Sequence, residues 1–187
     1  PPFGAERLLL YVTGSSAASF LPSWLSWLFL GYSDLTCKVL LTRSAQRFVT
    51  REALLPLGPE EVLIDEWNDQ ARERSLHVEL SQWPDAVAVY PASMHFLSRF
   101  ALGMVDTPGL MAVQCTTAPI AVAAALPPGG WESHAAGLHR NALADRKNVV
   151  LIPSKPGLSM TTGRGNGNQA VPLYGVIARL ERIRAEC

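Results

Sequence analysis

Cysteine is scarce in this chain: Cys37, Cys115 and Cys187 are the only three in 187 residues, an odd number with no Cys-x-x-Cys spacing. That excludes a disulfide framework and a zinc knuckle, and it suits a reducing cytoplasm. An excess of charge is missing as well, since sixteen basic residues balance sixteen acidic ones. No global field draws the chain to nucleic acid or to an anionic membrane, so neither is expected as a partner. Long apolar runs are absent too. The most apolar stretch, Phe20-Leu-Pro-Ser-Trp-Leu-Ser-Trp-Leu-Phe-Leu30, is too short for a bilayer, is broken by Pro22 and Ser26, and follows a strand-like segment rather than a basic leader. It reads as a buried helix whose stripe of Trp24, Trp27 and Phe29 needs burial beyond one small domain, as at a subunit interface. His134 and His139 stand five apart on different helix faces, so no metal pair is expected.

What is present is an ordinary globular composition, 48% hydrophobic and 17% charged, enough for one substantial core and one domain over residues 1–187. Arg7-Leu-Leu-Leu-Tyr-Val-Thr13 is a continuous apolar run that ends at Gly14-Ser15-Ser16, the pattern of a buried parallel strand feeding a helix. Similar runs recur at Cys37–Leu41, Val62–Ile64, Ala86–Tyr90, Ile120–Leu126 and Val149–Ile152. Between them lie segments of helical spacing: Ala17–Tyr32, Ala45–Leu55, His95–Leu102, Gly109–Thr117, His134–Leu143 and Leu173–Ala185. Strand and helix alternate, which predicts an α/β fold: a three-layer α/β/α sandwich around a Rossmann-like (flavodoxin-like) parallel sheet. One segment fits neither pattern. Residues 153–170 are long, rich in Gly, Ser, Thr and Asn, and without apolar periodicity, which predicts a functional lid or a disordered segment.

In such a sheet, ligands gather where strands end. Gly14-Ser15-Ser16 offers backbone N–H groups, hydroxyls and a positive helix end to a phosphate, or is merely a turn with a helix cap. Pro91-Ala92-Ser93 ends the Ala86–Tyr90 run, and His77 precedes Pro91 by fourteen residues. His77 is either a surface residue on a loop leading into a strand or a group that cycles a proton near neutral pH. Gly163, Gly165 and Gly167 do not join a strand to a helix and are no dinucleotide fingerprint.

The run from His77 to Ser93, with Glu79, Leu80 and Asp85, resembles the homo-oligomeric flavin-containing cysteine decarboxylases. There a histidine at this spacing precedes a Pro-Ala-Ser-Ala-Asn-Thr signature. The loop Ser159-Met-Thr-Thr-Gly-Arg164 is similar to the substrate clamp of the lantibiotic (epidermin/microbisporicin-type) branch. The resemblance covers about Leu8 to Leu180. It implies a flavin, FMN by family habit with FAD also open, held by Gly14, Ser15, Ser16, Thr42, Arg43, Ser44, Phe48, Pro91, Ala92, Ser93, Met94 and His95. It implies His77 as the catalytic acid–base, a precursor peptide ending in cysteine as substrate, and a homo-oligomer, a trimer or dodecamer. Two departures stand out. Met94, His95 and Phe96 replace Ala-Asn-Thr, leaving His95 as a hydrogen-bond donor to the flavin ring or as a helix cap. The family's carboxylate-binding asparagine falls near Gly130, so Trp131, Ser133, His134 or backbone N–H groups must take its place beside Thr161, Thr162 and Arg164 of the clamp.

The implied reaction is oxidative decarboxylation of the terminal cysteine to an enethiol, which cyclises to aminovinyl-cysteine. A phosphopantothenoylcysteine decarboxylase, a flavin-binding regulatory subunit without activity, and a flavin prenyltransferase are the rival readings. The coenzyme A branch carries a clamp cysteine that reduces the enethiol. Residues 153–172 contain none, and Cys187 is a poor substitute.

Overall fold

A computed structural model describes residues 1–67, 74–157, 163, 165 and 167–186. The elements follow in the order β1 (Arg7–Val12), α1 (Leu21–Gly31), β2 (Thr36–Leu41), α2 (Arg51–Leu54), β3 (Glu61–Ile64), α3 (Leu76–Gln82) and β4 (Ala86–Ala92). They continue as α4 (Met94–Ala101), α5 (Pro108–Cys115), β5 (Ile120–Ala124), α6 (His134–Ala144), β6 (Val149–Ile152), the short strands β7 (Lys155–Gly157) and β8 (Gly167–Gln169), and α7 (Leu173–Glu186). The strands β1 to β6 form one sheet in the order β3-β2-β1-β4-β5-β6, and its pairings are all parallel. This is the doubly wound order expected from the alternation of elements.

Period-two alternation divides the strand side chains between two cores. Leu8, Leu10 and Val12 point to one face, where α1, α2 and α7 pack with Leu21, Leu25, Leu54, Val176 and Leu180. Leu9 and Tyr11 point to the other, where α3 to α6 contribute Leu80, Phe96, Phe100, Leu110 and Leu143. Both faces are therefore covered, which is why the strands read as unbroken apolar runs.

Two expected helices are corrected. The segment Ala17–Tyr32 is not one helix: a 3-10 turn at Ser16–Phe20 precedes α1, because Pro22 belongs in a first helical turn. Ala45–Leu55 is likewise split into a turn at Ala45–Arg47, α2, and a turn at Leu55–Leu57 that closes on Gly58, a glycine at φ +111°. Residues 153–170 contain an antiparallel pair, Lys155–Gly157 against Gly167–Gln169. Trp24, Trp27 and Phe29, expected at a subunit interface, are partly buried within the chain. They pack on the chain's own core, with Trp24 and Trp27 meeting Tyr174 edge-on at 6.2 and 6.4 Å. The exposed apolar residues of this region are Phe20 and Leu30.

A buried lysine joins the second strand to the third helix. Lys38, 4% exposed, donates to Glu79 of α3 at 2.6 Å and to Glu61 of β3 at 3.3 Å, and it lies over the Trp83 ring. Burial alone would lower its pKa, but the ion pairs with Glu79 and Glu61 more than offset this and hold it above the ordinary lysine range. Because the folded value is raised, the stabilisation is fully present below about pH 10.4, the unfolded lysine value, and is lost as pH rises through the folded one. Lys38→Met should cost about 3 kcal/mol by denaturant titration at neutral pH, since it removes the shared partner of two carboxylates. The wild type should lose that margin only in alkali, and a variant as stable as wild type at pH 7 would show the cluster to be neutral.

Candidate active site

Two cavities open at the carboxyl end of the sheet. Parallel strands bring Thr13, Thr42, Asp65 and Ser93 to this end, and the strand order reverses between β1 and β4, where α/β sheets leave a crevice. The first cavity, about 520 Å³, is walled by Thr13, Thr42, Arg43, Ser44, Arg47, Asp65, Ser93, His95, Phe96, Arg99 and Thr107. It is polar and rimmed by arginine. The second, about 320 Å³, lies on the α1 side and is aromatic, with Phe20, Trp24, Trp27 and Tyr90 on its walls and Ser15, Ser16, Asn168, Gln169 and Pro172 around them.

The turn at Gly14 divides the two. A side chain at Gly14 would strike Ser44, with a Cβ only 2.5 Å from the Ser44 Cβ, so glycine is what lets these turns meet. Ser15 caps the following turn by accepting from the Ala17 N–H at 3.4 Å. Thr13 fastens β1 to β4: its hydroxyl donates to the Pro91 carbonyl at 2.7 Å and accepts from the Ser93 N–H at 2.8 Å. Ser93 then caps α4 through the Phe96 N–H at 3.3 Å. His95 is therefore not the cap; it stands exposed on the first turn and borders the polar cavity.

The remaining residues of the expected cofactor set scatter. Pro91 and Ala92 are buried inside β4 and contribute backbone, Ala92 accepting from the Ala125 N–H at 2.8 Å. Met94 packs into the core beneath α4, and Phe48 is exposed beside the turn at Ala45–Arg47, outside the cavity wall.

His77 lies on a helix, not on a loop. Because α3 runs antiparallel to the strands and leads back to Asp85 beside Arg7, its first turn stands at the same end as the cavities. His77 belongs to neither wall. Its ring meets Trp67 edge-on at 5.4 Å, and its Nδ1 is buried with no hydrogen-bond partner among the described residues. The Trp67 indole donates to the Asp106 carbonyl at 2.9 Å, and Asp106 pairs with Arg99, which lines the polar cavity. That ion pair lowers the Asp106 pKa.

Of the residues expected to replace the asparagine, Ser133 is engaged as the α6 cap, donating to Gly130 O at 2.8 Å and accepting from the Ala136 N–H at 3.2 Å. Trp131 stacks under Arg140, which also donates to its carbonyl, and His134 is exposed at the start of α6. Thr161, Thr162 and Arg164 lie outside the described residues. The sequence reading missed Thr13, Asp65 and Thr107. Only the position of Thr13 at the end of an apolar run signalled it, and Asp65 follows β3 in the same way.

Comparison with known proteins gives a consistent picture. A flavoprotein family model matches residues 3–180. A cypemycin cysteine dehydrogenase (decarboxylating) from a Streptomyces species is 31% identical over 184 residues, 98% of this chain and 95% of the relative. A coenzyme A biosynthesis bifunctional protein from Haemophilus influenzae is 29% identical over 137 residues, 72% of this chain but only 34% of the relative. The crystal structure of a cypemycin decarboxylase superposes with a TM-score of 0.80 at 27% identity, covering 100% of this chain and 97% of that one.

Proposed function

The chain belongs to the flavoprotein family, among its cysteine decarboxylases, and we propose that it oxidatively decarboxylates the C-terminal cysteine of a lantibiotic-type precursor peptide. The product is the enethiol from which aminovinyl-cysteine forms. The observation that carries this reading is the pair of cavities flanking the turn after β1, one walled by Thr13 and Ser44 and rimmed by arginine, the other aromatic, lined by Ser15 and Ser16 and bordered by β8.

Flavin fits the polar cavity. Its volume of about 520 Å³ lies within the usual span of small-ligand sites, roughly 300–1,000 Å³, and suits a mononucleotide, FMN, better than FAD. Thr42, Ser44 and the arginines Arg43 and Arg47 suit a polyol chain and a phosphate, and Phe96 offers an apolar surface to a ring. At Gly14 the approach of Ser44 leaves room for backbone alone, as a phosphate-holding turn requires. When bound, flavin supplies the two-electron oxidation of the cysteine Cβ–S unit, after which carbon dioxide leaves readily from the thioaldehyde.

The chain's own residues position the substrate and move its protons. The aromatic cavity takes the peptide, and Asn168 and Gln169 of β8 border it. Arg164 is assigned to the terminal carboxylate, since a guanidinium gives it paired N–H donors. His77 handles the proton of the reacting cysteine. Because His77 stands outside both cavities of its own chain, the reading includes a homo-oligomer, a trimer or a multiple of it, in which a neighbouring copy brings His77 to the cavity.

The purified protein should be yellow, with one flavin per chain, and should scatter light as a trimer or larger. Gly14→Val should raise the FMN dissociation constant at least about tenfold, because the added methyls displace Ser44. A colourless protein that takes up neither FMN nor FAD would sink the reading, and a flavin-loaded monomer would remove the assembly from it. No helix among the described residues is long and apolar enough to cross a membrane.

A further inference from the structure

Among the described residues that wall the polar cavity, Asp65 is the one acid. It is also more deeply buried than the arginines there, at 4% exposure against 15% for the Arg99 side chain. Its oxygens are held from several sides. Oδ2 accepts from the Tyr11 hydroxyl, Oδ1 accepts from the Gly109 N–H at 2.7 Å, and the Thr107 side chain also hydrogen-bonds to it. The close approach of α5 needs a glycine at 109, where a Cβ would lie 2.6 Å from Leu40 and 2.7 Å from the Tyr11 ring.

The protonation of this pair follows from its surroundings. Burial, with the Asp65 charge beside it, raises the Tyr11 phenol well above its ordinary range, so Tyr11 keeps its proton and donates. Burial raises the Asp65 pKa above the ordinary carboxylate range, and the hydrogen bonds from Tyr11, Gly109 and Thr107 and the charge of Arg99 offset only part of this. A carboxylate that receives donors on both oxygens is in its ionised, accepting form. The nearby positive charges are partly offset: Arg43 pairs with Glu66 at 3.4 Å and Arg99 with Asp106, while Arg47 stands exposed.

We propose that Asp65 tunes the redox behaviour of the flavin held in this cavity, its fixed negative charge opposing the negative charge a flavin gains on reduction and so lowering the reduction potential. A charge in a wall poor in water acts more strongly than one in solvent. This inference rests on the assignment of flavin to the polar cavity. Its consequence concerns turnover. Each decarboxylation takes two electrons and two protons from the peptide, and residues 153–172 offer no thiol to receive the electrons. They must pass to an external two-electron acceptor such as oxygen, which becomes hydrogen peroxide. A lowered potential favours that transfer.

The test is the midpoint potential of the FMN-loaded protein, with the rate of its reoxidation by oxygen as a second reading. Asp65→Asn keeps the shape and removes the charge, and it should raise the potential and slow reoxidation several-fold. Tyr11→Phe is the milder variant should Asp65→Asn fail to fold. It removes a hydrogen bond that holds the Asp65 pKa down, so it favours the neutral carboxyl and should raise the potential toward the Asp65→Asn value. An Asp65→Asn potential at or below wild type, or a Tyr11→Phe potential that does not rise, would overturn the inference while leaving the flavin site intact. A wild-type protein without flavin would overturn the site assignment and this inference together.

Discussion

A peptide ending in cysteine, incubated with the flavin-loaded protein, is expected to lose carbon dioxide and two hydrogens and to gain an ultraviolet-absorbing enethiol. The position of the thiols in this chain decides the outcome. The clamp segment 153–172 has none, so nothing there can reduce the enethiol to a saturated thiol. Cys37 is buried within β2, and burial pushes its pKa up to about 12, which keeps the thiolate needed for exchange out of reach. Cys115 is exposed, but it ends α5 beside Thr116, Ala118 and Asp85, at the amino end of the sheet. A strand of five residues at roughly 3.3 Å each puts about 17 Å between that end and the cavities. The product should therefore leave unsaturated, and mass spectrometry with absorbance will read both changes together. Loss of carbon dioxide alone, or activity on phosphopantothenoylcysteine but on no peptide, would move the protein to the coenzyme A branch.

Replacing His77 with asparagine should leave flavin content and thermal stability near wild type and lower turnover by at least about 10²-fold, the scale of a lost acid–base group. Asparagine keeps a hydrogen-bonding side chain but cannot cycle a proton at neutral pH. Flavin should be retained because His77 is no part of the polar cavity's wall. The stability should hold because α3 is anchored elsewhere, by Leu76 and Leu80 in the core and by Glu79 on Lys38. Equal turnover in wild type and variant would leave His77 as a packing partner of Trp67 and nothing more.

How much of this was legible in the sequence depended on how local the signal was. The six strands could be read because each is a dense apolar run, and the inner four, β2, β1, β4 and β5, are buried on both faces. The helix carrying His77 was missed because it spans only Leu76–Gln82, with Leu76 and Leu80 as its core contacts and Ser75 before it. Seven residues give too little periodicity to distinguish a helix from a loop. The pair β7 and β8 was missed for the opposite reason. Lys155-Pro-Gly157 and Gly167-Asn-Gln169 have no alternation, and Pro and Gly argue against a strand.

The cavity wall was legible where residues stand at or just after a strand end, as at Thr42, Ser44 and Ser93. It was illegible where surroundings are made by convergence. Asp65 gains its character from Tyr11, Thr107 and Gly109, which lie 54, 42 and 44 positions away in the chain. Ser133 looked like a free hydroxyl until α6 took it as a cap.

The contact between Gly14 and Ser44 joins two turns that lie thirty residues apart into one steric unit. An alanine at 14 is accommodated only if the side chain at 44 is removed, and a bulkier residue at 44 demands glycine at 14. The two positions are therefore epistatic, each setting which substitutions the other accepts. Libraries that vary position 14 alone will score it as intolerant, whereas a change at 14 paired with glycine at 44 will be better accommodated.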